Sequence, residues 1–333
     1  MMQRDYEYEV SVYCVTYNHE KYIRDALDGI LNQKTSFTWK LIIFDDASTD
    51  GTTEIVREYE RKYPEKIITL IQKENQYSKG NNIQKIIIPY LKGKYIATCE
   101  GDDYWIDEYK LQKQYDFLEN HFDFIGCYHN IDVINEFGEK KISKEFPIRN
   151  RWIYDRNNAI KFELPGQTAA AFYKNFYMNF TKKQLKSYME CSTNGDRKIA
   201  VTLGMMGKIM CMEEIMAVHR VIINQGDSWH AQVFNKNMAA INMKSKIDMK
   251  KFVKDAFDVE VDIKADQANL LWTALRYYQK NRNKENLNIL VKVWKMMGEN
   301  NITKVWMMIQ KIIQKSFSNF KGKKIVKSEK EIY

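Results

Sequence analysis

Nowhere in the 333 residues is there an unbroken apolar run of the ~18 residues that a membrane-spanning helix needs, so no span is expected. The opening MMQRDYEYE places charge where a secretory leader needs an apolar stretch. The expectation is a cytoplasmic protein, with peripheral contact at the inner face of the cell membrane left open. Cysteine is sparse, at positions 14, 99, 127, 191 and 211, and lacks the paired spacing of a zinc site. Cys14, Cys99 and Cys127 lie in apolar, strand-like stretches, and buried free thiols are the expected state.

Surplus positive charge is missing from residues 1–230, which hold 31 Lys/Arg against 33 Asp/Glu. Residues 231–333 hold 21 against 10, so the net charge of +9 belongs to the C-terminal third. A nucleic-acid enzyme gathers positive charge around its active site. Here that region is slightly acidic, and no nucleic-acid partner is expected. The basic tail suits an anionic surface instead. Beyond residue 235 there is no proline, and Gly298 is the only glycine between Gly226 and Gly322. With its helical spacing of Leu, Ile, Met and Trp, this region reads as a basic helical module over 231–333, following a first domain over 1–230.

What is present is a globular composition, 44% hydrophobic and 29% charged. Short β-rich runs alternate with helical patterns. EVSVYCVTY (9–17), WKLIIFDD (39–46), KIITLIQ (66–72), KYIATCE (94–100) and FIGCYHNIDVI (124–134) read as strands. Helical stretches fall near 20–33, 52–64, 82–91 and 107–120. Such alternation predicts βαβ units and a mainly parallel α/β sheet flanked by helices. A further helix is expected near 196–206, with strands within 208–223.

Ligands of open α/β sheets bind beyond the carboxyl ends of the strands. Two acidic clusters stand at such ends: FDDASTDGT after LIIF, and EGDDYW after KYIATC. Carboxylates brought together without basic neighbours repel one another, and a hard divalent cation relieves that repulsion. The cofactor expected is Mn²⁺ or Mg²⁺.

VTYNHEKYI after the first strand, DDASTDGT after the second and EGDDYW after the fourth together resemble the inverting glycosyltransferases of family 2. The likeness covers roughly residues 9–230. It implies a GT-A fold and transfer of a sugar, with inversion, from a nucleotide-sugar donor, UDP being the expected nucleotide. The acceptor it implies is a glycan or a lipid-linked oligosaccharide. Carried over onto this chain, the resemblance places Thr16 and Tyr17 at the nucleotide, Tyr17 stacking on the base and Asp46 accepting a hydrogen bond from it. Asp102 lies near the ribose or sugar, and Asp103 is a metal ligand. Glu100 stands where many relatives have aspartate. Asp45 and Asp50 have an ordinary alternative as turn and helix-start residues.

Asp196, in STNGDRKIAVTLG, resembles the aspartate that serves the family as general base, and it also suits the start of a helix. HRVIINQGDSWH (219–230) resembles the segment bordering the acceptor. His219 is then a further metal ligand or a structural residue, and His230 and Trp229 flank the acceptor. Trp105 and Trp229 either stack on sugars or pack. Lys79, in a polar loop, is a candidate phosphate contact.

Two rival readings stay in view. A sugar nucleotidyltransferase carries a glycine-rich basic loop after its first strand, which VTYNHEKY lacks. A carbohydrate-binding or scaffold protein without catalysis does not need the full acidic set. In the tail, Ile302, Val305, Trp306, Ile309, Ile312, Ile313, Phe317 and Phe320 follow helical spacing, with Lys304, Lys311 and Lys315 opposite. That helix either lies on an anionic membrane surface or packs on protein, in its own chain or in a homo-oligomer.

Overall fold

The computed structural model describes residues 6–143, 146–222 and 236–298. By proximity of Cα atoms the chain divides into two compact units: residues 1–190 with 194–232, and residues 191–193 with 233–333.

The first unit is built on one ten-stranded sheet. Its strands are β1 (Tyr8–Thr16), β2 (Trp39–Asp45), β3 (Ile67–Ile71), β4 (Gly93–Glu100), β5 (Tyr104–Trp105), β6 (Phe124–Asn135), β7 (Lys140–Lys141), β8 (Trp152–Tyr154), β9 (Phe172–Lys174) and β10 (Lys208–Val221). The main path runs β3-β2-β1-β4-β9-β6-β10-β5, with β7 on β6 and β8 on β10. The six long strands run in one direction, and the short β5, β7, β8 and β9 run against them. Each of the five expected strand stretches forms within a residue or so of its expected bounds. The sheet is mainly parallel, as expected, with β9 as an antiparallel insert between β4 and β6.

Val10, Val12, Leu41, Ile42, Ile43, Phe44, Ile96 and Ala97 have no exposure, the pattern of strands covered on both faces. α1 (Ile23–Leu31) lays Ile23, Ala26, Leu27 and Ile30 on the sheet at spacings of three and four. Each large side chain so buried contributes roughly 1.5–3 kcal/mol. α2 (Thr52–Lys62) does the same through Ile55, Val56 and Tyr59. α3 (Gln84–Ile87) is short, α4 (Lys110–Asn120) follows β5, and α5 (Arg156–Ala159) follows β8. α6 (Lys182–Glu190) and α7 (Gly195–Met206) precede β10. All five cysteines are buried and free, as expected.

The second unit holds three helices, α8 (Ala239–Phe257), α9 (Lys264–Lys280) and α10 (Lys284–Met296). Ala239, Ala240, Met243, Leu271, Ala274, Val293 and Met297 form its core. α8 stops at Asp258, which takes a left-handed φ of 54°, and Asn283 caps α10 by accepting from the Asn286 amide at 2.8 Å. Among the described residues no helix is long and apolar enough to cross a membrane. The expected amphipathic helix at 302–320 lies outside the described residues.

Candidate active site

β1 and β2 end side by side, Thr16 opposite Asp45. The chains leaving them are sewn together. The Asn18 amide donates to Ser48 Oγ at 3.0 Å, the Thr49 amide to Asn18 Oδ1 at 2.8 Å, and the Glu20 amide to Asp50 Oδ2 at 3.1 Å. Asp45 accepts from the Ser48 amide and hydroxyl and from the Thr53 hydroxyl. Asp50 accepts from the Thr52 amide at 3.0 Å at the opening of α2. Both therefore carry out the turn and helix-start roles open to them in the sequence.

Asp46 faces the other way. It is buried, and its two oxygens accept from the backbone amides of Gln76 at 2.6 Å and Tyr77 at 3.0 Å. A carboxylate has about four acceptor positions, so capacity for a nucleobase donor remains. Tyr17 is half-buried in the bend after β1. Thr16 is buried, and its hydroxyl has no hydrogen-bond partner among the described residues. Lys79 lies in the loop after β3, exposed and paired with Glu74.

β4 ends at Glu100, followed by Gly101. A Cβ on Gly101 would lie 2.6 Å from Thr16 Oγ1 and 2.8 Å from His19 Nδ1, so glycine lets the ends of β1 and β4 approach this closely. Glu100, Asp102 and Asp103 then bring carboxylate oxygens within 4.8 Å of one another. Burial, followed by the charges of Asp103 and Asp102, pushes the Glu100 carboxyl well above the usual range. Three carboxyl groups this close repel one another when ionised, and they form a donor set that fits a hard divalent cation.

Asp103 is fully buried. Its Oδ1 accepts from the Arg220 amide at 2.9 Å and lies 2.9 Å from His219 Nδ1, and its Oδ2 accepts from Gln167 Nε2 at 2.6 Å. Burial alone would lower the His219 pKa, but the Asp103 carboxylate outweighs it, with Asp102 and Glu100 adding, and the imidazole is pushed up to about 9. The Arg220 guanidinium reaches the Asp102 carbonyl at 3.0 Å and the Asp25 carboxylate at 2.5 Å, between the rings of Tyr22 and Tyr104. Sequence reading missed Gln167 and Arg220. Both act across long sequence separations that no local pattern marks.

Asp196 occupies the first turn of α7 and lines a small pocket with Thr98, Tyr128, Gly166 and Tyr173. Its charge is felt at Glu100. Trp105 takes the packing alternative in this structure. It is buried, its indole N–H donates to the Ala169 carbonyl at 2.9 Å, and the Lys110 ammonium lies 4.0 Å from its ring centroid. Trp229 and His230 lie outside the described residues.

The sequence matches the model of "Glycosyl transferase family 2" over residues 11–182. It is 42% identical over 138 residues to the uncharacterized protein Rv1520 of Mycobacterium tuberculosis, covering 41% of this chain and 39% of that one. It is 33% identical over 138 residues to the uncharacterized glycosyltransferase MJ1057 of Methanocaldococcus jannaschii, covering 41% and 46%. The matched segment thus spans less than half of either relative. In fold, the chain is similar to S. aureus TarS 1–349 in complex with UDP-GlcNAc, with a TM-score of 0.59 at 15% identity over 86% of this chain and 79% of that one. That likeness places the mixed sheet among GT-A folds. With the family model spanning half the sequence, and its strand-end motifs converging on one acidic site, the chain belongs to glycosyl transferase family 2.

Proposed function

We propose that the chain transfers one sugar from a nucleotide-sugar donor to a hydroxyl of a glycan or lipid-linked acceptor, with inversion, using a divalent metal. The observation that carries this reading is the group of three carboxylates at the end of β4, set beside the ends of β1 and β2. Thr16, Tyr17 and Asp46 receive the nucleoside, which we take to be uridine. Asp103, with His219 as a further ligand and Glu100 beside it in the acidic cluster, is assigned to the metal, and Asp102 to the ribose or sugar. When bound, Mn²⁺ or Mg²⁺ offsets charge on the departing diphosphate.

Asp196 takes the proton from the acceptor hydroxyl as that oxygen attacks the anomeric carbon. It stands in the first turn of α7, the end of a helix that attracts negative charge. One carboxylate base and a single displacement give inversion. Trp229 and His230 are assigned to the acceptor, and Lys79 reaches a phosphate only if it leaves Glu74. The basic tail is assigned to an anionic membrane surface, which salt-reversible co-sedimentation with anionic vesicles tests.

A screen of UDP- and GDP-sugars for slow donor hydrolysis, with Mn²⁺, Mg²⁺ or chelator, tests the function. Metal-dependent release of nucleoside diphosphate from one donor class is expected. No release from any donor under any metal, with the protein folded, overturns the reading in favour of a binding protein.

A further inference from the structure

We infer that Gln167 is a positioning residue: its side-chain amide, oriented by the backbone, holds the Glu100 and Asp103 carboxylates together. The metal-site reading supplies the consequence, since these are the carboxylates assigned to the cation. Gln167 precedes the 3₁₀ turn Thr168–Ala170, and its Oε1 accepts from the Ala169 amide at 2.5 Å. That bond fixes which end of the amide is which, because the opposite flip would set one donor against another. Nε2 must then face the site. It lies 2.6 Å from Asp103 Oδ2, 3.2 Å from His219 Nδ1 and 3.5 Å from Glu100 Oε2.

His219 Nδ1 also lies 2.9 Å from Asp103 Oδ1, and the proton of that contact is the imidazole's own. The two Gln167 hydrogens therefore go to the carboxylates. Gln167 is 4% exposed, so water has little access to replace it. A neutral donor is chemically apt here. It eases repulsion between two carboxylates, whereas a lysine or arginine in the same place would compete with a cation for them.

The alternative is that Gln167 only caps its own turn. Gln167→Glu separates the two, since a carboxylate oxygen still accepts from the Ala169 amide but offers the cluster an acceptor where it had a donor. With chelator present, at pH 8, the thermal midpoint of Gln167→Glu is expected to fall by about 3–8 °C. Adding Asp103→Asn returns a donor to the same contact, with Oδ1 still free to accept from Arg220. The double variant is expected to melt above Gln167→Glu alone. Wild-type melting of Gln167→Glu, or a double variant melting at or below the single one, overturns the proposal. If Gln167→Glu does not fold, a folded double variant supports the proposal and an unfolded one overturns it. No nucleotide sugar enters the measurement, so failure of the transfer reading would leave this result standing on its own.

Discussion

His219 and Asp103 stand 2.9 Å apart, Nδ1 to Oδ1, and tie the last residues of β10 to the turn that follows β4. The contact joins residues 116 apart in sequence, and the Arg220 amide completes it from the next position. Asp103 therefore organises the site as well as donating charge to it. Asp103→Ala should abolish metal-dependent turnover. It should also destabilise the metal-free protein by about 2–4 kcal/mol, because unpaired buried donors cost ~1–3 kcal/mol each and relief of repulsion at Glu100 returns part of that. Denaturant melts in chelator, beside a donor-hydrolysis assay, check both halves.

Asp196→Asn should reduce transfer by at least about 100-fold, the low end of what a positioned base contributes. Nucleotide affinity should stay near wild type, since the base acts on the acceptor. Calorimetry with UDP and Mn²⁺ reads the binding arm. Lost binding would move Asp196 out of the role of base.

The two oxygens of Asp46 hold the Gln76 and Tyr77 amides, so the carboxylate assigned to the nucleobase also anchors the loop after β3. Asp46→Ala should weaken UDP binding and, in the ligand-free protein, speed hydrogen exchange at those two amides. Each lost bond of this charge-assisted kind is worth roughly 1.5–3 kcal/mol. Exchange measured by NMR at residues 76 and 77 is the direct check. Unchanged protection there would show that the loop is held by other contacts.

Lys110 is fully buried, donates to Gln114 Oε1 at 2.7 Å, and has its pKa lowered by burial to about 7. In the unfolded chain the amine titrates near 10.4. Between these values the unfolded state binds the proton and the native state does not, so this group makes stability rise with pH across that window. Its penalty is greatest below the native pKa and fades as pH approaches the unfolded one. Lys110→Met should therefore be more stable than wild type at pH 7. Its advantage should shrink by about 1.4 kcal/mol per pH unit on the way to pH 9. Paired urea melts at pH 7, 8 and 9 measure that difference, in which all other titrating groups cancel.

The parts of the fold legible in the sequence are those fixed by local pattern. LIIF and YIATC announce buried parallel strands, and Asp46 and Asp102 are visible because each stands within two residues of such a strand's end. Thr52, at the start of α2, gives away Asp50 as a local helix-start residue. Gln167 carries no such mark, because its partners lie 64 residues before it and 52 after. For Trp105 the sequence leaves stacking on a sugar and packing both open, because the carbonyl that takes its indole N–H belongs to Ala169, 64 residues away. The three-residue β9 is too short to show a period at all, although it decides how β4 and β6 are joined.

The reversed direction of β9 bears on how relatives of this chain can diverge. Phe172, its first residue, pairs with Ala97 near the end of β4, so the segment entering β9 arrives at the rim that the parallel strands leave. Residues 166–171 thus reach the strand ends from this entry segment, with Gln167 at Asp103 and the Ala169 carbonyl at the Trp105 indole. A relative with a longer or shorter entry segment would have to replace both contacts together, although the pairing of β1 with β2 and β4 involves none of these residues.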